Sequence, residues 1–222
     1  MIRKGGLLLG WKNTLLIALL SAALVVVLVL LFLSVRSLIN RKKAEKILLT
    51  GKRNGTLLYK AIRTAYPGVT VFRNLMIPVA RKDGSRVFLR SELTVVGKSG
   101  VTLIFSYPYG GKIDNPYHGD WVTYGAKEPV SFRNPMERGS AVASAIGKNL
   151  NRRNLTNVPL TSLSVFFGDR LFFNHESDRV LRQDELLDRL DALSRNSFLS
   201  LPERKAVCRV LSGFQEKGTK KQ

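Results

Sequence analysis

The sequence has little from which a staple or a soft-metal site could be built. Its single cysteine, Cys208, cannot close an internal disulfide, which agrees with a reducing compartment. There are two histidines, His118 and His175, and no Cys/His spacing suited to zinc. No Walker loop, dinucleotide fingerprint or Ser/His/Asp arrangement is visible, and Gly110-Gly111 alone reads as a turn. Acidic residues are scarce as well: 16 Asp and Glu stand against 36 Lys and Arg, for a formal net charge of +20. Such a field favours polyanions, either nucleic acid or an anionic lipid leaflet.

Charge is missing altogether from one stretch. Leu15 to Val35 holds 21 consecutive residues without a charge. At about 1.5 Å per residue, that length crosses the roughly 30 Å hydrocarbon layer of a bilayer. The competing readings are a buried helix and a cleaved signal peptide. The apolar part of a signal peptide is usually about 7–15 residues and ends at a small-residue cleavage site, whereas Ser21-Ala22-Ala23 lies inside this run. The stretch is therefore read as an uncleaved transmembrane helix. Three basic residues precede it and seven follow by Arg53, which places the C-terminal region in the cytoplasm by the positive-inside rule. The positive excess peaks just beyond: positions 36–100 hold 15 basic residues against Glu45, Asp83 and Glu92.

What is present after the anchor is a patterned globular region with 45% hydrophobic content across the chain. Ser37 to Thr50 continues helically, either as a lipid-surface helix or as a solvated linker. Thr56 to Ala65 resumes helical spacing, and Val69 to Val79 reads as a strand. Arg86 to Tyr107 reads as a hairpin turning at Lys98-Ser99-Gly100. Pro108 to Gly119 is expected to be a loop, followed by a short hairpin from Trp121-Tyr124 and Val130-Phe132 around Gly125-Ala126. Asn134-Pro135 opens a helix, with Asn134 as its cap. Ser162 to Phe167 is another strand, which Leu171-Phe173 continues or pairs. Two helices, Gln183 to Ser194 and one from Leu201 to Gly213, close a mixed α/β sandwich. Lys217 to Gln222 reads as a disordered basic tail.

The ordered set from Gly55 to about Leu190 resembles the NERD (nuclease-related) domain of the PD-(D/E)xK nuclease-like superfamily. The features that carry it are the helix after Gly55, the strand ending at Pro78, the hairpin SELTVVGKSGVTLIF and Tyr109-Gly-Gly-Lys-Ile113. Trp121, the Asn134-Pro135 helix start and the strand at Val165 follow in the same order. The resemblance implies a restriction-endonuclease-like mixed α/β sandwich. Together with the residue readings above, this divides the chain into a short segment 1–14, transmembrane helix 15–35, basic juxtamembrane segment 36–54, NERD-like domain 55–195, and C-terminal helix and basic tail 196–222. It also implies a bacterial inner-membrane setting. In that family an Asp, a Glu and a Lys on the hairpin hold a divalent cation and activate water, often with a helical Glu.

Aligned on the turn, those positions fall on Glu92 (Asp), Phe105 (Glu), Tyr107 (Lys) and Thr56 (helical Glu), and a usual helix-start Gln falls on Arg138. Only Glu92 keeps an oxygen ligand, so it is the sole metal candidate, and no cofactor is expected. Mg²⁺ enters only if the chain is a divergent active nuclease. A rebuilt site from Glu92, Asp114, His118 and Asp120 competes with ordinary loop polarity, which is preferred, and His175 beside Glu176 reads as a surface residue. Phe105 reads as core filling, with Ser106 facing the other side of the strand. Tyr107 and Tyr109 could instead offer an aromatic platform to bases, flanked by Arg90, Lys98 and Lys112. Arg81-Lys82 and Arg152-Arg153 are phosphate contacts or a solvated face. Three functions follow as expectations: non-catalytic binding of nucleic acid at the cytoplasmic membrane face, a structural or assembly module for anionic lipid and protein partners, or a divergent nuclease.

Overall fold

A computed structural model describes residues 6–50, 55–80, 83–125 and 128–215. Residues 51–54, between the juxtamembrane stretch and the next helix, and the basic tail lie outside the described residues. The chain divides into two compact units, Met1–Lys43 and Ala44–Gln222.

Helix α1 runs Gly6–Thr50, so the charge-free stretch and the basic stretch after it are one continuous helix. From Leu19 to Val35 its large apolar side chains are exposed all round, with Leu20 at 63% and Phe32 at 65%. A helix apolar on every side has no single stripe to bury in a core, a pattern shared by bilayer spans and apolar leader segments. The Ser34 hydroxyl donates to the Leu30 carbonyl at 2.9 Å, keeping that polar group satisfied within the helix. One helix near the N-terminus is thus long and apolar enough to cross a membrane.

The second unit is built on a five-stranded sheet ordered β1-β2-β3-β7-β9. β1 (Thr70–Ala80), β2 (Arg86–Gly97) and β3 (Gly100–Tyr107) form an antiparallel meander. β7 (Leu160–Phe166) and β9 (Val180–Arg182) extend it in parallel. β3 is central and buried on both faces, which is why Val101 to Phe105 is a mostly apolar run, broken only by buried Thr102, instead of an alternation. The turn before it needs glycine at position 100, where φ is +118° and a Cβ would lie 2.3 Å from the Pro159 carbonyl oxygen.

Helices cover both faces. On one side α3 (Pro135–Asn151) and α5 (Leu201–Ser212) bury Val142, Ile146, Leu150, Val207 and Leu211 against Leu103 and Phe105. On the other, α2 (Gly55–Ala65) and α4 (Leu186–Ser194) join Ala44 and Leu48 over Ile104, Leu163 and Val165. The result is a mixed α/β unit of three layers. Asn134 caps α3 as expected, its side chain accepting from the Met136 N–H at 2.9 Å.

A second, four-stranded sheet has the order β6-β5-β4-β8. The hairpin of β5 (Trp121–Thr123) and β6 (Val130–Phe132) is its expected half. Two expectations are corrected. The stretch read as a loop contains β4 (Lys112–Asp114), whose Ile113 is fully buried. β8 (Phe172–Phe173) pairs with β4 and does not continue β7. The two sheets meet where Gly110, Gly125 and Gly168 pass one another. A Cβ on Gly168 would lie 2.0 Å from the Gly110 Cα, and one on Gly125 would lie 2.1 Å from the Gly110 carbonyl oxygen.

Candidate functional site: a closed carboxylate cluster and an arginine cleft

Glu92 sits where backbone pairing lapses on both sides of β2. The β2–β3 register ends at Leu93↔Ile104. Across β1, the register skips the position between Arg73↔Leu93 and Leu75↔Ser91, because Asn74 adopts φ +51°. The Glu92 carboxylate takes over as acceptor. Its Oε2 accepts the Ser106 N–H at 2.8 Å and the Ser106 hydroxyl at 2.6 Å. Its Oε1 faces Nη2 of Arg138, in the first turns of α3, at 3.4 Å.

Arg138 also lies over the Phe105 ring, 4.9 Å from its centroid. Phe105 is completely buried, and burial of such a side chain contributes about 1.5–3 kcal/mol. Tyr107 is buried too and stacks on Phe166 with centroids 5.1 Å apart. Its hydroxyl has no hydrogen-bond partner among the described residues. Burial pushes the Tyr107 pKa up, and the nearby Arg138 guanidinium offsets this only in part. Thr56 begins α2 in an exposed position, its hydroxyl accepting from Arg73 Nη2 at 3.0 Å. A Cβ on neighbouring Gly55 would lie 3.9 Å from the Ser106 hydroxyl, so the start of α2 adjoins this cluster.

The positions singled out by the hairpin alignment therefore gather in one place, but what they form is an ion pair over an apolar plug. A small divalent cation needs several oxygen ligands. Here one carboxylate is present, its oxygens are engaged by Ser106 and Arg138, and the flanking positions are buried rings. These residues do not fit a Mg²⁺ centre. No group of three His, Cys, Asp or Glu side chains placed to hold a metal ion, from Asp114, His118 and Asp120 or elsewhere, is found among the described residues. Asp114 instead accepts from Asn174 Nδ2 at 2.9 Å.

Comparison with family models, curated proteins and solved structures finds no match. The site must be read on its own geometry.

The cations are spread over several surfaces. Arg90 is exposed on β2 and donates to the Asn74 side chain at 2.8 Å. Lys98 is exposed at the β2–β3 turn and Lys112 on β4. Arg81 and Lys82 lie outside the described residues. Tyr109 is half-buried and stacks on Phe132 at 4.0 Å, so one face of its ring is covered, and buried Tyr107 offers none. Arg152 and Arg153 differ from these in having company. Together with Arg209 of α5 they line a cleft of about 430 Å³, closed by Asn149, Val210, Gly213 and Phe214. No carboxylate lines it, and no ion pair engages the three arginines among the described residues. Sequence reasoning missed Arg209, because nothing local ties the end of α5 to the end of α3.

Proposed function

We propose that the chain is a single-pass inner-membrane protein whose α/β unit is a nuclease-related scaffold that binds nucleic acid without cutting it. The observation that carries the reading is the cleft where Arg152 and Arg153, just past the end of α3, and Arg209 of α5 line one space with no carboxylate in its lining. Guanidinium groups suit phosphate oxygens through their planar, forked donors. The run of α2, the β1–β2–β3 meander, α3 and parallel β7 supports the restriction-endonuclease-like resemblance. The Phe105–Arg138 plug accounts for binding without hydrolysis. The basic flank after the apolar stretch supports a cytoplasmic C-terminal unit.

The test uses the full chain in nanodiscs of zwitterionic lipid with a labelled DNA or RNA duplex and its single strand. Binding is expected to weaken steeply with salt, with no cleavage in Mg²⁺ or Mn²⁺. Replacing Arg152, Arg153 and Arg209 by Ala should flatten the log–log salt slope on duplex DNA by about 0.9 for each phosphate no longer neutralised. No binding at low salt refutes the proposal. Cleavage that disappears in Glu92→Ala would establish the divergent-nuclease reading instead.

A second reading rests on Arg36, Arg41, Lys42, Lys43 and Lys46, which follow the apolar stretch within α1. These suit anionic lipid headgroups in a membrane-assembly module. Binding of anionic vesicles without nucleic-acid preference, lost when these five are neutralised, favours it.

A further inference from the structure

The end of the central hairpin remote from Glu92 forms a second concave site. The α2–β1 connection, the β2–β3 turn, α4 and α5 line a pocket of about 310 Å³. That is at the lower end of the range for small-molecule sites, about 300–1,000 Å³. Its walls are mainly carbon, from Pro67, Val69, Val95, Leu190 and Leu193. Lys98 and Arg204 also line it, and no carboxylate does. Arg204 is half-buried, and its Nε is buried with no hydrogen-bond partner among the described residues. A buried N–H without an acceptor is unfavourable, and because the Nε is closed to solvent a ligand oxygen would have to meet the outer guanidinium nitrogens of Arg204. Neither acid of α4, Asp188 or Asp191, lines the pocket, and Asp191 Oδ1 accepts from the Tyr66 hydroxyl at 2.5 Å.

Apolar walls beside two cations complement an apolar body that ends in one anionic oxygen group. We propose that this pocket binds a compact apolar carboxylate, with its body against Val69, Val95, Leu190 and Leu193 and its carboxylate at Arg204 and Lys98. The site is separate from the arginine cleft and stands independently of the nucleic-acid reading.

The probes are 2-naphthoate and its neutral counterpart 2-naphthalenemethanol. Each is measured by equilibrium dialysis against the full chain in zwitterionic nanodiscs, with binding to empty nanodiscs subtracted. Saturable one-to-one binding of naphthoate is expected, with the alcohol at least tenfold weaker. Arg204→Met keeps most of the aliphatic bulk and should weaken naphthoate at least tenfold while leaving the alcohol unchanged. Leu193→Trp fills the pocket and should abolish both. Lys98→Met, at an exposed turn position, provides a second test of the charge should Arg204→Met fail to fold, and should weaken naphthoate at least threefold. Absence of saturable binding, equal binding of acid and alcohol, or unchanged affinity in the folded charge variants overturns the proposal.

Discussion

Both carboxylate oxygens of Glu92 have partners, one in Ser106 and the other in Arg138. Removing the carboxylate leaves a backbone N–H without its acceptor and a guanidinium without its counter-charge. Glu92→Ala is therefore expected to cost about 1–3 kcal/mol, read as a lowered midpoint in chemical denaturation. Tyr107 predicts the opposite sign. Its buried hydroxyl has no partner among the described residues, so Tyr107→Phe should be neutral or stabilise by up to about 1 kcal/mol. Because the folded pKa lies above the unfolded value of about 10, the native state holds that proton longer. The stability linked to Tyr107 is fully present below pH of about 10 and is lost as pH rises through the folded pKa. Tyr107→Phe should shed that part of the alkaline loss, seen by following denaturation midpoints from neutral pH upward. The hairpin alignment identified which residues stand at these positions. It could not show that Ser106, read as facing away, would offer both its N–H and its hydroxyl to Glu92, because that depends on where the β2–β3 ladder stops.

At the scale of elements, legibility followed length and periodicity. The central hairpin, α3 and β7 were readable because their apolar patterns persist over seven residues or more. β4 and β9 hold three residues each, too few to show alternation, and the two residues of β8 were read only as an extension or partner of β7; β5 and β6 are as short, but the turn between them at Gly125-Ala126 marked them. The start of α3 was legible from its cap alone. Asn134 is buried, accepts from Met136 and Glu137, and donates to the Tyr117 carbonyl at 3.2 Å, so it also fastens the preceding loop. Asn134→Ala is expected to cost about 1–2 kcal/mol, whereas Asn134→Asp should retain the cap and lose only the loop tie. Thermal melts of the two variants separate those contributions.

For the whole molecule, the charge-free stretch predicts that the full chain resists alkaline carbonate extraction from membranes and that a version lacking residues 15–35 does not pellet with them. A cleaved leader would instead release a fragment shortened at its N-terminus, visible by intact mass. The +20 charge was legible from composition, but its convergence was not, since Arg209 meets Arg152 and Arg153 only through the packing of α3 and α5. The crossing of Gly110, Gly125 and Gly168 has a different consequence. Three loops there touch backbone to backbone, leaving no room for even one methyl group. Under random mutagenesis, these three codons should tolerate almost no change, although they lie in connections, where variation is ordinarily best accepted. The joint between the sheets would thus stand out as a point of genetic fragility that polarity, charge and predicted secondary structure give no reason to expect.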